Sequence, residues 1–242
     1  MNTKIHLTEC TSTSDIARDW ARDPANPAAD GAVVTADFQT AGRGRRGRSW
    51  QSGAGENLLM SVVLRPPYPV TDAWHLAFVA ALAVSDAVGE FGPAPELKWP
   101  NDILIDGRKV SGILVETVVD PSGWAAIVGV GVNVNQAAFD DAAAFDVRPV
   151  SLRMATGAEV GVDAVEEAVH RRLMAREAEH RQEGFLAVVA AWRSRMAPGF
   201  EIRSGAFHGT QTHLMDNGEI EVRLPDGTFT RWGTVDGEGT FL

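Results

Sequence analysis

The chain has 242 residues, 45% of them hydrophobic and 22% charged, and 32 acidic against 22 basic side chains leave a formal charge of −10. This excludes a disordered chain and supplies the apolar material for one large domain, alone or with a small companion. The negative envelope has the wrong sign for a protein built to follow a nucleic-acid backbone, and it draws nothing towards an anionic membrane. The single cysteine, Cys10, rules out an internal disulfide and any multi-cysteine zinc site. The N-terminal MNTKIHLTEC lacks the apolar core of a signal peptide. The longest apolar stretch, about residues 73–84, contains His75 and is too short to span a bilayer. The expectation is a cytoplasmic protein.

In chain order, residues 5–9 read as a short strand and 14–22 as a helix preceded by Ser and Thr caps. Residues 31–37 (GAVVTAD) are β-branched and predict a strand, 39–55 form a long Gly/Arg loop, and 57–64 return to strand. Residues 72–91 have helical spacing, with Trp74, Phe78, Leu82 and Val88 on the apolar side. Residues 96–99, 103–105, 109–119 and 124–133 are strands separated by Asp106-Gly107 and Pro121-Ser122-Gly123 turns, a meander of antiparallel hairpins. Residues 162–196 predict a helix interrupted near Gly184 and stopped by Pro198-Gly199. Strands at 220–224 and 229–235, around Pro225-Asp226-Gly227, mark a small all-β unit. The reading is an α+β protein with a large domain over 1–197 and a small β domain over 198–242.

The loop from Gln39 to Trp50 puts four arginines within six residues, interleaved with three glycines, in an acidic protein. Glycines let the backbone approach an anion, arginines offer fixed forks to phosphate and carboxylate, and Trp50 can stack on a planar ring. A solvated basic loop is the plainer reading. The GxGxxG at Gly42, Gly44 and Gly47 is not a dinucleotide fingerprint, because Arg-Ser-Trp-Gln-Ser-Gly follows instead of a helix. A minor-groove hook is opposed by the net charge.

Three further segments stand out. In Lys98-Trp99-Pro100-Asn101-Asp102, proline fixes a turn that presents an amide beside a carboxylate, although Pro-Asn-Asp is also ordinary turn chemistry. In the strand from Gly107 to Glu116, Gly112 marks a close approach of ligand or backbone. Lys109 opens that strand and is one of only three lysines among the 22 basic residues, so a lysine here carries information that an arginine does not. It also reads as a plain hairpin lysine. Gly129-Val130-Gly131-Val132-Asn133 ends a hydrophobic strand in a polar group, as a core strand with a polar end also does. Residues 11–15 are a helix cap that can also offer hydroxyls to a small polar ligand. The six histidines show no metal spacing, and no metal site is assigned.

Together these segments resemble the biotin protein ligase family. The GRGRRGR-x-W loop with Gln39 three positions before its first glycine, the KWPND turn, the GRKxxGILVE strand and the GxGxN strand occur in family order over about residues 10–135. The resemblance implies a central mixed sheet flanked by helices, as in class II synthetase-like and lipoate-ligase-like domains, with an SH3-like C-terminal unit. It implies two steps: biotin and ATP, with Mg²⁺, give biotinyl-5′-AMP, and a lysine of a biotin carboxyl carrier domain then takes the biotin. It implies no nucleic-acid or membrane partner and a monomer or homodimer. The first motif begins by residue 11, so the expectation is the form without an N-terminal DNA-binding domain.

Carried over by position, the resemblance gives Ser12, Thr13 and Gln39 the ureido ring and puts Ser14 in the biotin site. Arg43 and the Gly42 and Gly44 backbone take the valeryl chain and carboxylate, with Arg45 and Gly112 also lining the biotin site. Arg45 and Arg48 face the phosphates, Trp50 covers the nucleotide, and Asn101 and Asn133 contact it. Lys109 bridges the biotin carboxyl and the α-phosphate, and Asp102 lies near the incoming amine. Lys109, Arg48 and Asp102 are thereby the expected catalytic set. Ser14 stands where the family usually has Asn. A lipoate or octanoate ligase or transferase shares the fold, and a nucleic-acid-binding protein using the Arg-Gly loop is the alternative of another class.

Overall fold

The computed structural model describes residues 3–92, 94–120, 123–139, 147–197, 199–204 and 207–233. The expected turn residues Pro121 and Ser122, the helix stop Pro198, and positions 234–235 of the last expected strand lie outside this set.

A seven-stranded mixed sheet forms the centre, in the order β1-β2-β3-β7-β6-β5-β4. Its strands are β1 (Lys4–Cys10), β2 (Ala32–Gln39), β3 (Leu58–Leu64), β4 (Glu96–Lys98), β5 (Asp102–Ile105), β6 (Arg108–Asp120) and β7 (Gly123–Val132). Only β1 and β2 run parallel. Parallel neighbours need a crossover, and α1 (Thr13–Arg22) supplies it. Ser12 caps α1, its hydroxyl accepting from the Ser14 N–H at 3.3 Å.

The two faces of the sheet are covered unequally. On one face α2 (His75–Gly89), α4 (Val162–Glu183) and α5 (Phe185–Arg193) seal the main core, in which Met60, Val62, Val128, Val130 and Ile113 meet Phe78, Leu82, Leu173 and Trp192. The apolar side expected on residues 72–91 is not confined to one stripe. Helix α2 is buried around most of its circumference because it lies between the sheet and α4 and α5. On the other face α1 alone packs, and Ala17, Trp20 and Ala21 cover Val34, Val63, Ile127 and Val118. Beyond the reach of α1 no α-helix among the described residues covers the sheet, and the candidate site lies there.

The long helix breaks at Gly184 (φ +78°), as expected, but ends at Arg193, ahead of Pro198. A short α3 (Leu152–Thr156) was not foreseen. A second, four-stranded antiparallel sheet has the order β11-β10-β9-β8, from β8 (Glu201–Ser204), β9 (Phe207–Leu214), β10 (Ile220–Arg223) and β11 (Phe229–Trp232). The sequence indicated only β10 and β11. The fold is α+β, a mixed central sheet flanked by helices with a small C-terminal antiparallel sheet.

Candidate active site

A row of residues in cross-strand register makes the floor of the uncovered face. Leu59 on β3 faces Gly131 on β7, Gly131 faces Gly112 on β6, Gly112 faces Asp102 on β5, and Asp102 faces Lys98 on β4. Two glycines at the centre leave bare backbone, and the charged pair stands at one end. The next row, Ser61–Gly129–Leu114, carries the floor towards the start of α1. The resulting cleft has a volume of about 1140 Å³ and is roofed by the loop from Gln39 to Gly53.

Lys109 reaches this cleft because β6 is irregular. Gly112 is three positions further on, and strict alternation would put the two on opposite faces. The β5–β6 register shifts at Ile103/Leu104, so that Lys109 pairs with Leu104 and Val110 is left over. The extra residue turns Val110 into the main core and Lys109 onto the Gly112 side. Asn133 pins the irregular backbone: its N–H donates to the Val110 carbonyl (2.8 Å), and Nδ2 donates to the carbonyls of Lys109 (3.3 Å) and Val150 (3.2 Å).

Lys109 Nζ lies 2.6 Å from Asp102 Oδ1, and Lys98 Nζ lies 3.7 Å from Asp102 Oδ2. Two of the three lysines thus converge on one carboxylate. Burial alone would raise the proton affinity of Asp102. The nearby Lys109, Lys98 and Arg45 outweigh it and hold the carboxyl below its ordinary range. The sequence expectation puts Asp102 near the incoming amine; in the structure its carboxylate is engaged by both cleft lysines.

Trp50 lies across the glycines. A Cβ on Gly131 would fall within 3.0 Å of three indole atoms, Cδ2 at 2.9 Å among them, and one on Gly112 would be 3.2 Å from Cζ3. The close approach expected at Gly112 is therefore made by the Lys109 side chain, at 3.1 Å, together with the loop's own tryptophan. Lys109 Nζ stands 5.9 Å from the Trp50 ring centroid. Backbone bonds close the loop: Trp50 N–H donates to Gly42 (2.9 Å) and Gly44 N–H to Arg48 (2.7 Å). Gly42 is required by close approach, since a Cβ there would meet the Trp50 carbonyl oxygen at 2.5 Å. Arg45 Nη1 donates to Asn101 Oδ1 (2.6 Å), and Asn101 Nδ2 donates to the Ile113 carbonyl. Arg43 forks onto Asp15 (2.7 and 2.8 Å) and reaches Glu116 (3.2 Å). Gly44, Arg48 and Trp50 line the cleft with them.

The far end is polar and neutral. Gln39 Oε1 accepts from the Thr13 N–H (2.7 Å) and the Thr13 hydroxyl (3.1 Å). Ser61 Oγ lies 2.8 Å from Thr13 Oγ1 and 3.1 Å from Ser14 Oγ. Ser61 is fully buried and was missed, although a lone hydroxyl in the apolar run LLMSVVL was its signal. Asn57 was missed too. It is buried, donates to Ser52 (3.0 Å) and Gln136 (2.7 Å), and accepts from the Val134 N–H (2.8 Å), tying the loop's far end to the exit of β7. The site thus brings together Ser12, Thr13, Ser14, Gln39, Arg43, Gly44, Arg45, Arg48, Trp50, Asn101, Asp102, Lys109, Gly112 and Asn133 on one cleft. Gly42 supports its loop from behind.

The biotin/lipoate A/B protein ligase family model matches residues 7–134. The chain belongs to this family. It is 40% identical over 207 residues to a biotin–[acetyl-CoA-carboxylase] ligase of Paracoccus denitrificans, covering 81% of this chain and 85% of that one. It is 33% identical over 230 residues to the bifunctional ligase/repressor BirA of Bacillus spizizenii, covering 92% of this chain and 70% of that one. The fold is similar to the biotin protein ligase of Aquifex aeolicus in complex with biotin and ATP, with a TM-score of 0.79, 28% identity and 96% of each chain covered. The glycine floor and the lysine of the irregular strand lie in the part that the family model matches. No helix among the described residues is long and apolar enough to cross a membrane.

Proposed function

We propose that the protein joins biotin to ATP as biotinyl-5′-AMP and then passes biotin to a lysine of a biotin carboxyl carrier domain. The observation that carries this reading is the floor row: bare backbone at Gly112 and Gly131 beside Lys109, under an arginine loop, in a protein of net charge −10. Bringing a carboxylate against a triphosphate requires local cancellation of like charge. A cationic cleft in an acidic envelope supports that chemistry.

In the first step a biotin carboxylate oxygen attacks the α-phosphorus. The bond from that phosphorus to the β-phosphate bridging oxygen breaks, and pyrophosphate leaves with the electron pair. Lys109 stands between the two anions and Arg45 and Arg48 face the phosphates. Asp102 acts as a positioning residue that holds the Lys109 ammonium in place. The Thr13–Gln39 end, backed by Ser61, takes the ureido ring, and Ser14 offers a hydroxyl in place of the family's amide. Arg43 closes over the valeryl chain once it leaves Asp15. In the second step the neutral carrier amine attacks the acyl carbon, the acyl–phosphate C–O bond breaks, AMP leaves, and the amine proton passes to solvent.

Mg²⁺ belongs in this reading to the ATP substrate. The described residues contain no group of three His, Cys, Asp or Glu side chains placed to hold a metal. The test is incubation with ATP, Mg²⁺ and a carrier domain, with biotin in one arm and lipoate in the other. A biotin-sized mass gain on one carrier lysine supports the reading. A gain in the lipoate arm alone would move the chain to the family's lipoate branch.

A further inference from the structure

The turn that carries Asn101 and Asp102 is supported from outside the large sheet. The last rung between β4 and β5 is Lys98↔Asp102. The Trp99 N–H beyond it therefore has no ladder partner, and Pro100 has no N–H to offer. Gln211 of β9 supplies the missing acceptor: its Oε1 takes the Trp99 N–H at 3.2 Å across 112 residues. Its Nε2 donates to the Ala197 carbonyl at 2.7 Å. Ala197 N–H in turn donates to Leu97 (2.8 Å), and Leu97 N–H to Arg195 (2.8 Å), so the 195–197 segment is stitched onto β4. Gln211 is 2% exposed, and both its polar ends are used inside the protein. A second tie comes from the β9–β10 turn, where the Gly218 carbonyl accepts from Trp99 Nε1 at 3.1 Å. Gly218 has φ +81°, and a Cβ there would collide with the Trp74 ring. The small sheet thus grips Trp99 by both its backbone and its indole.

We infer that Gln211 is a positioning residue for the activation step: by fixing Trp99 it sets Asn101 and Asp102, and through Asp102 it sets Lys109. This rests on the ligase reading above. The ureido end of the cleft, held by α1, β2 and β3, has no part in the Gln211 network. The inference therefore separates catalysis from biotin binding. Loss of the acceptor leaves a buried N–H unpaired, which displaces the turn.

The experiment measures biotinyl-AMP formation at saturating biotin and ATP, with biotin affinity by calorimetry, for wild type, Gln211→Met and Val222→Ala. Val222 faces Gln211 across β9 and β10 and is fully buried, so its truncation loosens the small sheet while both hydrogen bonds to Trp99 keep their partners. The expected result is a loss of about tenfold or more in kcat for Gln211→Met, with biotin affinity within twofold and Val222→Ala within threefold of wild type. Wild-type kcat in Gln211→Met, an equal loss in Val222→Ala, or a parallel loss of biotin affinity overturns the inference. If Gln211→Met does not fold, Gln211→Glu replaces it. Its protonated carboxyl keeps both bonds and its ionised form loses the donor, so activity should fall with rising pH relative to wild type, and an unchanged pH profile overturns the inference. Wild type forming no biotinyl-AMP would instead sink the ligase reading itself.

Discussion

Gly131→Ala asks most directly whether the bare floor matters. The added methyl would stand within 3.0 Å of three atoms of the Trp50 indole, where ordinary contacts begin at 3.4 Å. The β7 backbone is fixed on both sides by β3 and β6, so Trp50 has to give way. Overpacking of this kind costs about 1–3 kcal/mol. At about 1.4 kcal/mol per factor of ten, adenylate formation should fall roughly 5- to 150-fold, with the thermal midpoint little changed because the strain is relieved by moving a loop. The assay is pyrophosphate release with biotin and ATP, run also in a Trp50→Ala background. If the floor serves only the tryptophan, Gly131→Ala is silent in that background. If it also receives the ligand, a loss remains, and the difference measures the coupling. Gly131→Ala within threefold of wild type, with Trp50 intact, would refute the reasoning.

Lys109→Arg should be nearly as damaging as Lys109→Ala, each losing about 10²–10³ in adenylation rate, because a planar fork does not fit the short approach to Asp102; activity within threefold of wild type contradicts this. Asp102→Asn should lower adenylation and transfer together in single-turnover measurements, as a positioning role requires, and a selective loss of transfer would instead assign Asp102 to the incoming amine. Arg-directed proteolysis between Arg43 and Arg48 should slow when biotin and ATP are added, and equal cleavage rates in both states count against ligand closure of the loop. Burial and the neighbouring His180 push the His75 pKa down from 6.5 to about 4, against the opposing pull of Asp72. The folded state thus binds fewer protons than the unfolded one between those values. The stability this contributes is present above about pH 6.5 and is lost as pH falls towards about 4. Urea midpoints should drop over that window more steeply for wild type than for His75→Gln, and parallel slopes would remove His75 from the account.

The strands from 96 to 133 were legible because turn residues punctuate them, and α1 because Ser and Thr caps precede it. Gly112 was legible as a close approach and Gly131 was not, nor was Trp50, which lies over both, since the loop's path is set by the Gly42–Trp50 and Gly44–Arg48 bonds. The register shift that aims Lys109 has no local signature: it depends on which β5 residue faces Val110, a tertiary matter. Helix α2 looked amphipathic because α4 and α5, which cover its remaining sides, follow some 70 residues later and more. Strands β8 and β9 were missed because residues 201–214 are short of β-branched apolar residues and contain glycine. Gln211 was invisible for the same reason. A glutamine among His, Gly and Thr reads as surface, and only its pairing with Trp99 and Ala197 gives it meaning.

The claim that biotin is activated on phosphorus can be tested by following one atom. Biotin labelled with oxygen-18 in both carboxyl oxygens is incubated with ATP, Mg²⁺, a carrier domain and the protein, and the products are weighed by mass spectrometry. If the carboxylate attacks the α-phosphorus, AMP leaves with one labelled oxygen and the carrier amide keeps the other. Unlabelled AMP, or label in pyrophosphate or inorganic phosphate, would contradict the account.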